Sequence, residues 1–75
     1  MRKKIIINTI ANIINVKPKN IKLNFGIGKT SGWDSLSHIR IYLELKKKLK
    51  YNGNINNLVR IKTVKDWIIF FSKNK

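Results

Sequence analysis

Isoleucines recur at helical spacing near the start of the chain and predict a first helix over residues 3–14. The positions that define its apolar face are Ile6, Ile10, Ile13 and Ile14. Asn15 follows, and asparagine tolerates the left-handed backbone conformation that often ends a helix. Lys17 precedes Pro18, and a residue before proline disfavours helical backbone. The first helix is therefore expected to stop near Asn15.

The clearest helical pattern covers residues 35–50. Its apolar positions form a wide stripe that we expect to face the core: Leu36, Ile39, Tyr42, Leu43, Leu45 and Leu49. Its polar positions fall on the other side: Ser37, Arg40, Glu44, Lys47 and Lys48. Asp34 or Ser35 supplies the N-cap, because short polar side chains accept hydrogen bonds from the free N–H groups of a first turn.

The connection between these two helices, residues 16–34, is long for so small a chain. We expect Ile21, Phe25 and Ile27 to hold it against the core, because they are isolated apolar side chains in a polar segment. Further along, residues 55–61 have room for only one or two helical turns.

A last helix is predicted to begin at Thr63. Thr63 and Asp66 resemble a capping box in which aspartate takes the place of the usual glutamate. The apolar positions of this helix repeat at helical spacing: Val64, Trp67, Ile68 and Phe71. No segment alternates as a strand, so the pattern predicts a single all-α domain over residues 1–75. We expect a small four-helix bundle of three longer helices and one short helix, with a long loop between helices one and two.

Composition narrows the chemistry that this domain can perform. The 75 residues include no cysteine, one histidine and three acids, which excludes disulfides, thiolate metal sites and most acid–base machinery. The longest apolar run, residues 67–71, falls far short of the roughly 20 residues of a membrane-spanning helix. The basic N-terminus lacks the small-residue cleavage site of a signal peptide. We therefore expect a cytoplasmic monomer with no metal and no membrane span.

The charge balance points to an anionic partner. Seventeen basic residues against three acids give a net charge of +14, which suits nucleic acid or an anionic membrane. A mutational bias is a competing explanation, because isoleucine, lysine and asparagine have AT-rich codons and make up about half of the chain. That bias does not explain why acids are so scarce, so the net charge still counts as evidence for an anionic partner.

The motif GxDSL at residues 32–36 opens the second predicted helix. With this motif in its helical frame, the chain resembles the acyl carrier proteins, which are four-helix carriers of phosphopantetheine. A Thr-Val pair at residues 63–64 matches the start of the last helix in that family. An Asn-Val pair at residues 15–16 stands where the family often has Gly-Val. The resemblance covers nearly the whole chain.

By this resemblance, Ser35 is the attachment point for 4′-phosphopantetheine, whose thiol carries an acyl or aminoacyl group as a thioester. Asp34 caps the helix and helps to position Ser35 for modification, and Leu36 is an apolar contact for partners. A helix N-terminus also suits a phosphodiester. The partners implied are a phosphopantetheinyl transferase, an acyl- or aminoacyl-activating ligase, and an acyltransferase or synthase. The chain is then a carrier that partner enzymes act on, and not an enzyme.

Several of these residues have a second interpretation. Ser35 could act only as a helix cap, and Trp33 could either anchor a docking enzyme or pack the loop onto the core. Four residues are expected to line a cargo cleft, although ordinary core packing predicts the same set: Ile39, Leu43, Ile61 and Trp67. His38 could act as a base for Ser35, but no carboxylate is evidently placed to orient it. We therefore expect a surface histidine near the arm instead.

The second helix departs from the family in its charge. Residues 36–50 carry five basic residues against Glu44, a net charge of +4, whereas acyl carrier proteins usually present an acidic helix here. Arg40 and Lys47 are our candidate docking residues. Either the partner enzymes have acidic docking faces, or contacts nearer Ser35 dominate. The departure favours a dedicated pathway over housekeeping fatty-acid synthesis.

Two other functions stay open. The chain could be a small basic nucleic-acid-binding protein that places residues 35–50 in a groove. We expect nucleic acid not to be the partner, because the basic residues are scattered and the helix begins beside Asp34. The chain could also be an unmodified relative of the carriers that acts through protein contacts alone.

Overall fold

Helix α1 forms where the isoleucine spacing predicts it. The computed structural model of the chain describes residues 2–51, 53 and 55–73, and α1 spans Arg2–Ile14. Its buried face consists of Ile6, Thr9, Ile10, Ala11 and Ile14. Asn15 has a φ of 62°, and the N–H of Val16 donates to the carbonyl of Ala11 at 2.9 Å. The predicted left-handed end of the helix at Asn15 is confirmed.

Helix α2 spans Ser35–Lys48, and its core face differs in part from the predicted one. The buried side chains are His38, Ile41, Tyr42 and Leu45. Leu36, Ile39 and Leu43 are exposed instead, so their assignment to the core stripe was wrong. At 3.6 residues per turn, Leu36 points about 180° away from Leu45, and one face cannot bury both. The helix ends two residues before its predicted end.

The long connection between α1 and α2 is held down by apolar side chains. It contains a short 3₁₀ segment at Pro18–Asn20 and then runs towards the start of the last helix. Ile21, Phe25 and Ile27 are partly buried and pack against the core, as predicted. The connection is thus an ordered part of the fold, and it sets the position of the chain just before α2.

Residue 26 must be a glycine because two backbone segments approach closely there. The N–H of Ile27 donates to the carbonyl of Lys62 at 2.9 Å, and the N–H of Val64 donates to the carbonyl of Phe25 at 2.9 Å. A Cβ atom on Gly26 would lie 2.5 Å from the oxygen of Lys62. The pair of hydrogen bonds therefore ties the connection to the chain ahead of the last helix.

Helix α3 spans Val64–Lys73 and has the predicted capping box. The N–H of Asp66 donates to Oγ1 of Thr63 at 3.1 Å, and the N–H of Thr63 donates to Oδ2 of Asp66 at 3.2 Å. The segment predicted as a short fourth helix forms a 3₁₀ segment at Ile55–Arg60. The part of the chain with described structure therefore contains three α-helices and two 3₁₀ segments, and the all-α prediction is confirmed.

One core lies between the three helices, because α1 packs against both α2 and α3. Its members come from every helix and from the loop: Ile6, Ile10, Ile14, Trp33, Ile41, Tyr42, Leu45, Ile61, Val64, Trp67 and Phe71. Trp67 and Phe71 stack with their ring planes 8° apart. At the edge of the core, Nζ of Lys48 donates to Oγ1 of the buried Thr9 at 3.2 Å. Among the described helices, none has the length and apolar character needed to cross a membrane.

Candidate functional site

Ser35 is the first residue of α2, and it is exposed. Oδ1 of Asp34 accepts the hydrogen bond from the N–H of Ser37 at 2.9 Å, so Asp34 is the N-cap. Hydrogen bonds from the backbone and side chain of Ser37 lower the pKa of the Asp34 carboxyl below its ordinary value. The interpretation of Ser35 as the cap is therefore wrong, and the helix does not need the Ser35 hydroxyl as its N-cap.

The loop before Ser35 rests on the end of α1. Gly32 has a φ of 83°, and a Cβ atom at this position would lie 3.1 Å from the carbonyl oxygen of Ile14. A left-handed residue in close contact with a backbone oxygen suits glycine alone. This contact places the turn that leads into Ser35 directly against the helix.

Trp33 and His38 are buried together behind Ser35. Trp33 is 2% exposed and His38 is 5% exposed. Nε1–H of Trp33 donates to Nδ1 of His38 at 2.9 Å, so Nε2 of the neutral ring carries the proton and donates to the carbonyl of Ile61 at 2.7 Å. The docking role of Trp33 and the surface position of His38 are both corrected, because both rings are buried and hydrogen-bonded inside the core.

These contacts decide the protonation of His38. Burial lowers the pKa of His38, and the carbonyls of Ile61 and Leu58 offset part of that effect. Both ring nitrogens already have partners, so the ring is not free to take a proton from Ser35. The expectation that His38 is not a base for Ser35 agrees with this geometry.

A cleft of about 410 Å³ opens beside Ser35, and we call it the Ser35 cleft. Its lining is mostly apolar and comes from α2, the loop and the second 3₁₀ segment: Ile27, Ser35, His38, Ile39, Asn56, Leu58, Val59, Ile61 and Lys62. Two of the four predicted cleft residues, Ile39 and Ile61, are in this set. The other two are elsewhere in the fold.

Leu43 and Trp67 do not line the Ser35 cleft, for opposite reasons. Leu43 is 51% exposed and belongs to a separate hollow with Glu44 and Lys47. Trp67 is fully buried in the core. Its indole N–H is buried and has no hydrogen-bond partner among the described residues. Of the four residues predicted to line a cargo cleft, only Ile39 and Ile61 therefore line the Ser35 cleft.

The outward face of α2 mixes apolar and cationic side chains. Leu36 is 68% exposed and Leu43 is 51% exposed, and Ile39 lies beside them towards the Ser35 cleft. Arg40 and Lys47 are exposed on the same face. These large apolar side chains lie opposite the core, and no described part of the chain covers them. They form a surface that begins at Ser35 and runs along the helix.

Sequence reasoning missed Ile41 and misplaced His38. Their spacing with Tyr42 and Leu45 was a second helical stripe in the same segment, and the single histidine in that stripe made it look less apolar.

No family model, curated protein or solved structure matches the chain. The described residues contain no cluster of three or more histidine, cysteine or acidic side chains that could hold a metal.

Proposed function

We propose that the chain is an acyl or aminoacyl carrier protein that holds its cargo on a 4′-phosphopantetheine arm attached to Ser35. The observation that carries the proposal is the position and exposure of Ser35. It is an exposed hydroxyl at the start of a helix whose cap is already supplied by Asp34. The resemblance of residues 32–36 to the attachment motif of acyl carrier proteins supports the same serine.

The residues around Ser35 fit such a group. A modifying enzyme needs access to the hydroxyl, and the side chain of Ser35 is exposed. It also needs that hydroxyl on a rigid element, and Ser35 begins a 14-residue helix whose buried His38 is hydrogen-bonded to the buried Trp33. When bound, the arm supplies a thiol that holds the cargo as a thioester. The chain itself supplies the attachment oxygen and its position.

The Ser35 cleft is the proposed shelter for the cargo. Ile39, Leu58 and Ile61 form apolar walls next to Ser35, and Asn56 and Lys62 add polar groups to the lining. Moving an apolar chain from water onto such walls is favourable in proportion to the area buried. A cargo with an apolar portion near the thioester fits this lining better than a fully polar one.

Partner enzymes are proposed to dock on the outward face of α2. Leu36 and Leu43 offer apolar contacts, and Arg40 and Lys47 add positive charge beside them. Complementary charge steers association, so the transferase, ligase and acyltransferase or synthase of this carrier would have acidic docking faces. That requirement favours a dedicated pathway.

The proposal is tested by intact mass after co-expression with a broad-specificity phosphopantetheinyl transferase. We expect the wild type to gain the mass of one arm and Ser35→Ala to gain none. Ser31→Ala is the matched control, because it removes an exposed serine hydroxyl four positions before Ser35 without touching the cap of α2. It should gain the arm. A wild type that stays unmodified, or an arm that persists in Ser35→Ala, would rule the proposal out.

A nucleic-acid-binding function is the alternative. The net charge of +14 favours it, but the exposed face of α2 carries Leu36, Ile39 and Leu43 among its cations, and Asp34 lies at its start. Neither feature attracts phosphates. Tight duplex binding at physiological salt by a chain that refuses the arm would favour this alternative over the carrier. Weak binding that disappears with added salt is expected of any strongly basic chain.

A further inference from the structure

A second hollow lies between α1 and the first 3₁₀ segment, and we call it the α1 hollow. Its volume is about 510 Å³ and it shares no lining residue with the Ser35 cleft. Six of the described residues line it: Lys3, Lys4, Ile7, Asn8, Pro18 and Lys19. Three of the six are cations, and none is an acid. The proposed carrier function makes no use of this hollow.

Local structure brings these side chains together. Lys3 and Ile7 are four residues apart on α1, as are Lys4 and Asn8, so the four lie on neighbouring positions of one flank of the helix. The 3₁₀ segment that begins at Pro18 packs against α1 and closes the other side. The hollow is therefore built by the fold from two segments.

The lining combines an apolar surface with positive charge, and one class of ligand matches both. Ile7 is half-buried and Pro18 is exposed, and together they give the hollow an apolar surface. Lys3, Lys4 and Lys19 are exposed around it, with no acid in the lining to neutralise them. An anionic head joined to an apolar body would satisfy both parts. Duplex nucleic acid would match the lysines, but its backbone has nothing comparable to place on Ile7.

We propose that the α1 hollow binds the headgroups of anionic phospholipids and holds the protein at a membrane surface. The lysines contact the phosphate and headgroup charges, while the glycerol and the first acyl carbons lie against Ile7 and Pro18. The net charge of +14 draws the chain towards such a surface from a distance. Each lysine close to an anionic membrane strengthens binding by about fivefold, so the three together contribute about a hundredfold.

This attachment leaves Ser35 accessible. Lys3 lies 11 residues before Ile14 on α1, which is about 16 Å along the helix axis. The loop that leads to Ser35 rests on Ile14, at the other end of that helix. The proposal does not depend on the modification of Ser35, because it rests on a separate set of residues.

The test is flotation of the full chain with vesicles of phosphatidylcholine and phosphatidylserine at physiological salt. Vesicles of phosphatidylcholine alone serve as the neutral control. The variant K3Q/K4Q/K19Q removes the three cations of the hollow, and K46Q/K47Q/K65Q removes three cations elsewhere. We expect the wild type to bind only the mixed vesicles. The first variant should bind about a hundredfold more weakly, and the second less than tenfold more weakly, because its charges lie outside the contact and are screened.

A second pair of variants tests the apolar surface. Ile7→Thr makes the lining of the hollow less apolar. Ile13→Thr makes the same substitution at another half-buried position of α1, outside the hollow. We expect Ile7→Thr to weaken vesicle binding more than Ile13→Thr, with helicity by circular dichroism confirming that both fold. If either isoleucine variant does not fold, the comparison of the two lysine variants decides whether the α1 hollow is the contact site.

Several results would overturn the proposal. Equal losses in the two lysine variants would mean long-range attraction without a site, and a larger loss in K46Q/K47Q/K65Q would move the contact to another face. No binding by the wild type would exclude the site directly. If K3Q/K4Q/K19Q lost affinity equally for vesicles and for a DNA duplex, with Ile7→Thr affecting neither, the hollow would be a general polyanion site.

Discussion

Acidification should destabilise this fold through His38, the only histidine of the chain. The ring is 5% exposed, and its Nδ1 accepts a hydrogen bond from Nε1–H of Trp33. A proton on Nδ1 would face that donor at a nitrogen–nitrogen distance of 2.9 Å. It would also place a charge in the core, and burial accordingly lowers the pKa of His38 from its ordinary value of 6.5. Protonation therefore favours the unfolded chain.

The size of the effect follows from proton linkage. The stabilisation is fully present well above pH 6.5, where the ring is neutral in both states. As the pH falls below that value, the unfolded chain takes up the proton first, and stability is lost until the folded pKa is reached. If the folded state binds no proton, the loss between about pH 7.5 and about pH 5.5 is about 1.4 kcal/mol. Asp34 titrates below this window, because hydrogen bonds from Ser37 lower its pKa from 3.8.

Urea unfolding at the two pH values measures this loss. We expect the wild type to lose up to about 1.4 kcal/mol and His38→Gln to lose little, because glutamine does not titrate. Trp33→Phe removes the N–H donor that opposes protonation of His38 at Nδ1. Its loss of stability on acidification should therefore lie between those of the wild type and His38→Gln. It also carries the comparison if His38→Gln does not fold. An equal pH dependence in wild type and His38→Gln, or a wild type that becomes more stable in acid, would refute the assignment.

Two further predictions test the packing, each by urea unfolding at neutral pH. Leu45→Ala should cost about 2–5 kcal/mol because it leaves a cavity in the core, whereas Leu43→Ala should change stability by less than about 0.5 kcal/mol. Similar losses at the two positions would contradict the observed core face of α2. Gly26→Ala should be more destabilising than Gly28→Ala, because its new Cβ meets the backbone oxygen of Lys62 whereas the space at Gly28 is open. The expected cost of Gly28→Ala is about 1–2 kcal/mol, from the positive φ alone. Equal losses of stability at the two positions would show that the segments around Gly26 separate easily.

The ends of the helices could be predicted from sequence because their causes are local. Asn15 ends α1 through its own left-handed conformation, and Thr63 and Asp66 bond each other's N–H groups across a single turn. For the N-cap of α2, the sequence left two adjacent candidates, Asp34 and Ser35. The hydrogen bond from the N–H of Ser37 to Oδ1 of Asp34 identifies Asp34 as the cap. That distinction matters most for the site, since it shows that the Ser35 hydroxyl is not the N-cap of α2.

The core face of α2 could not be predicted in the same way. The helix has apolar residues on two opposite faces, one with Ile41 and Leu45 and the other with Leu36 and Leu43. A periodic pattern alone does not say which of two apolar faces is buried. The choice depends on the surfaces of α1 and α3, which are distant in sequence. The same choice turned His38 inward and left the apolar surface beside Ser35 exposed.

The sequence by itself determined the all-α class, the order of the helices and the position of Ser35 at a helix start, since spacing, caps and breakers act within a few residues. Tertiary structure alone decided that Trp33 and His38 are buried partners, because their shared network ends on the carbonyl of Ile61, 23 residues after His38. It also decided which apolar residues form the Ser35 cleft. A cleft depends on the backbone of several segments at once, and no local pattern encodes how those segments meet.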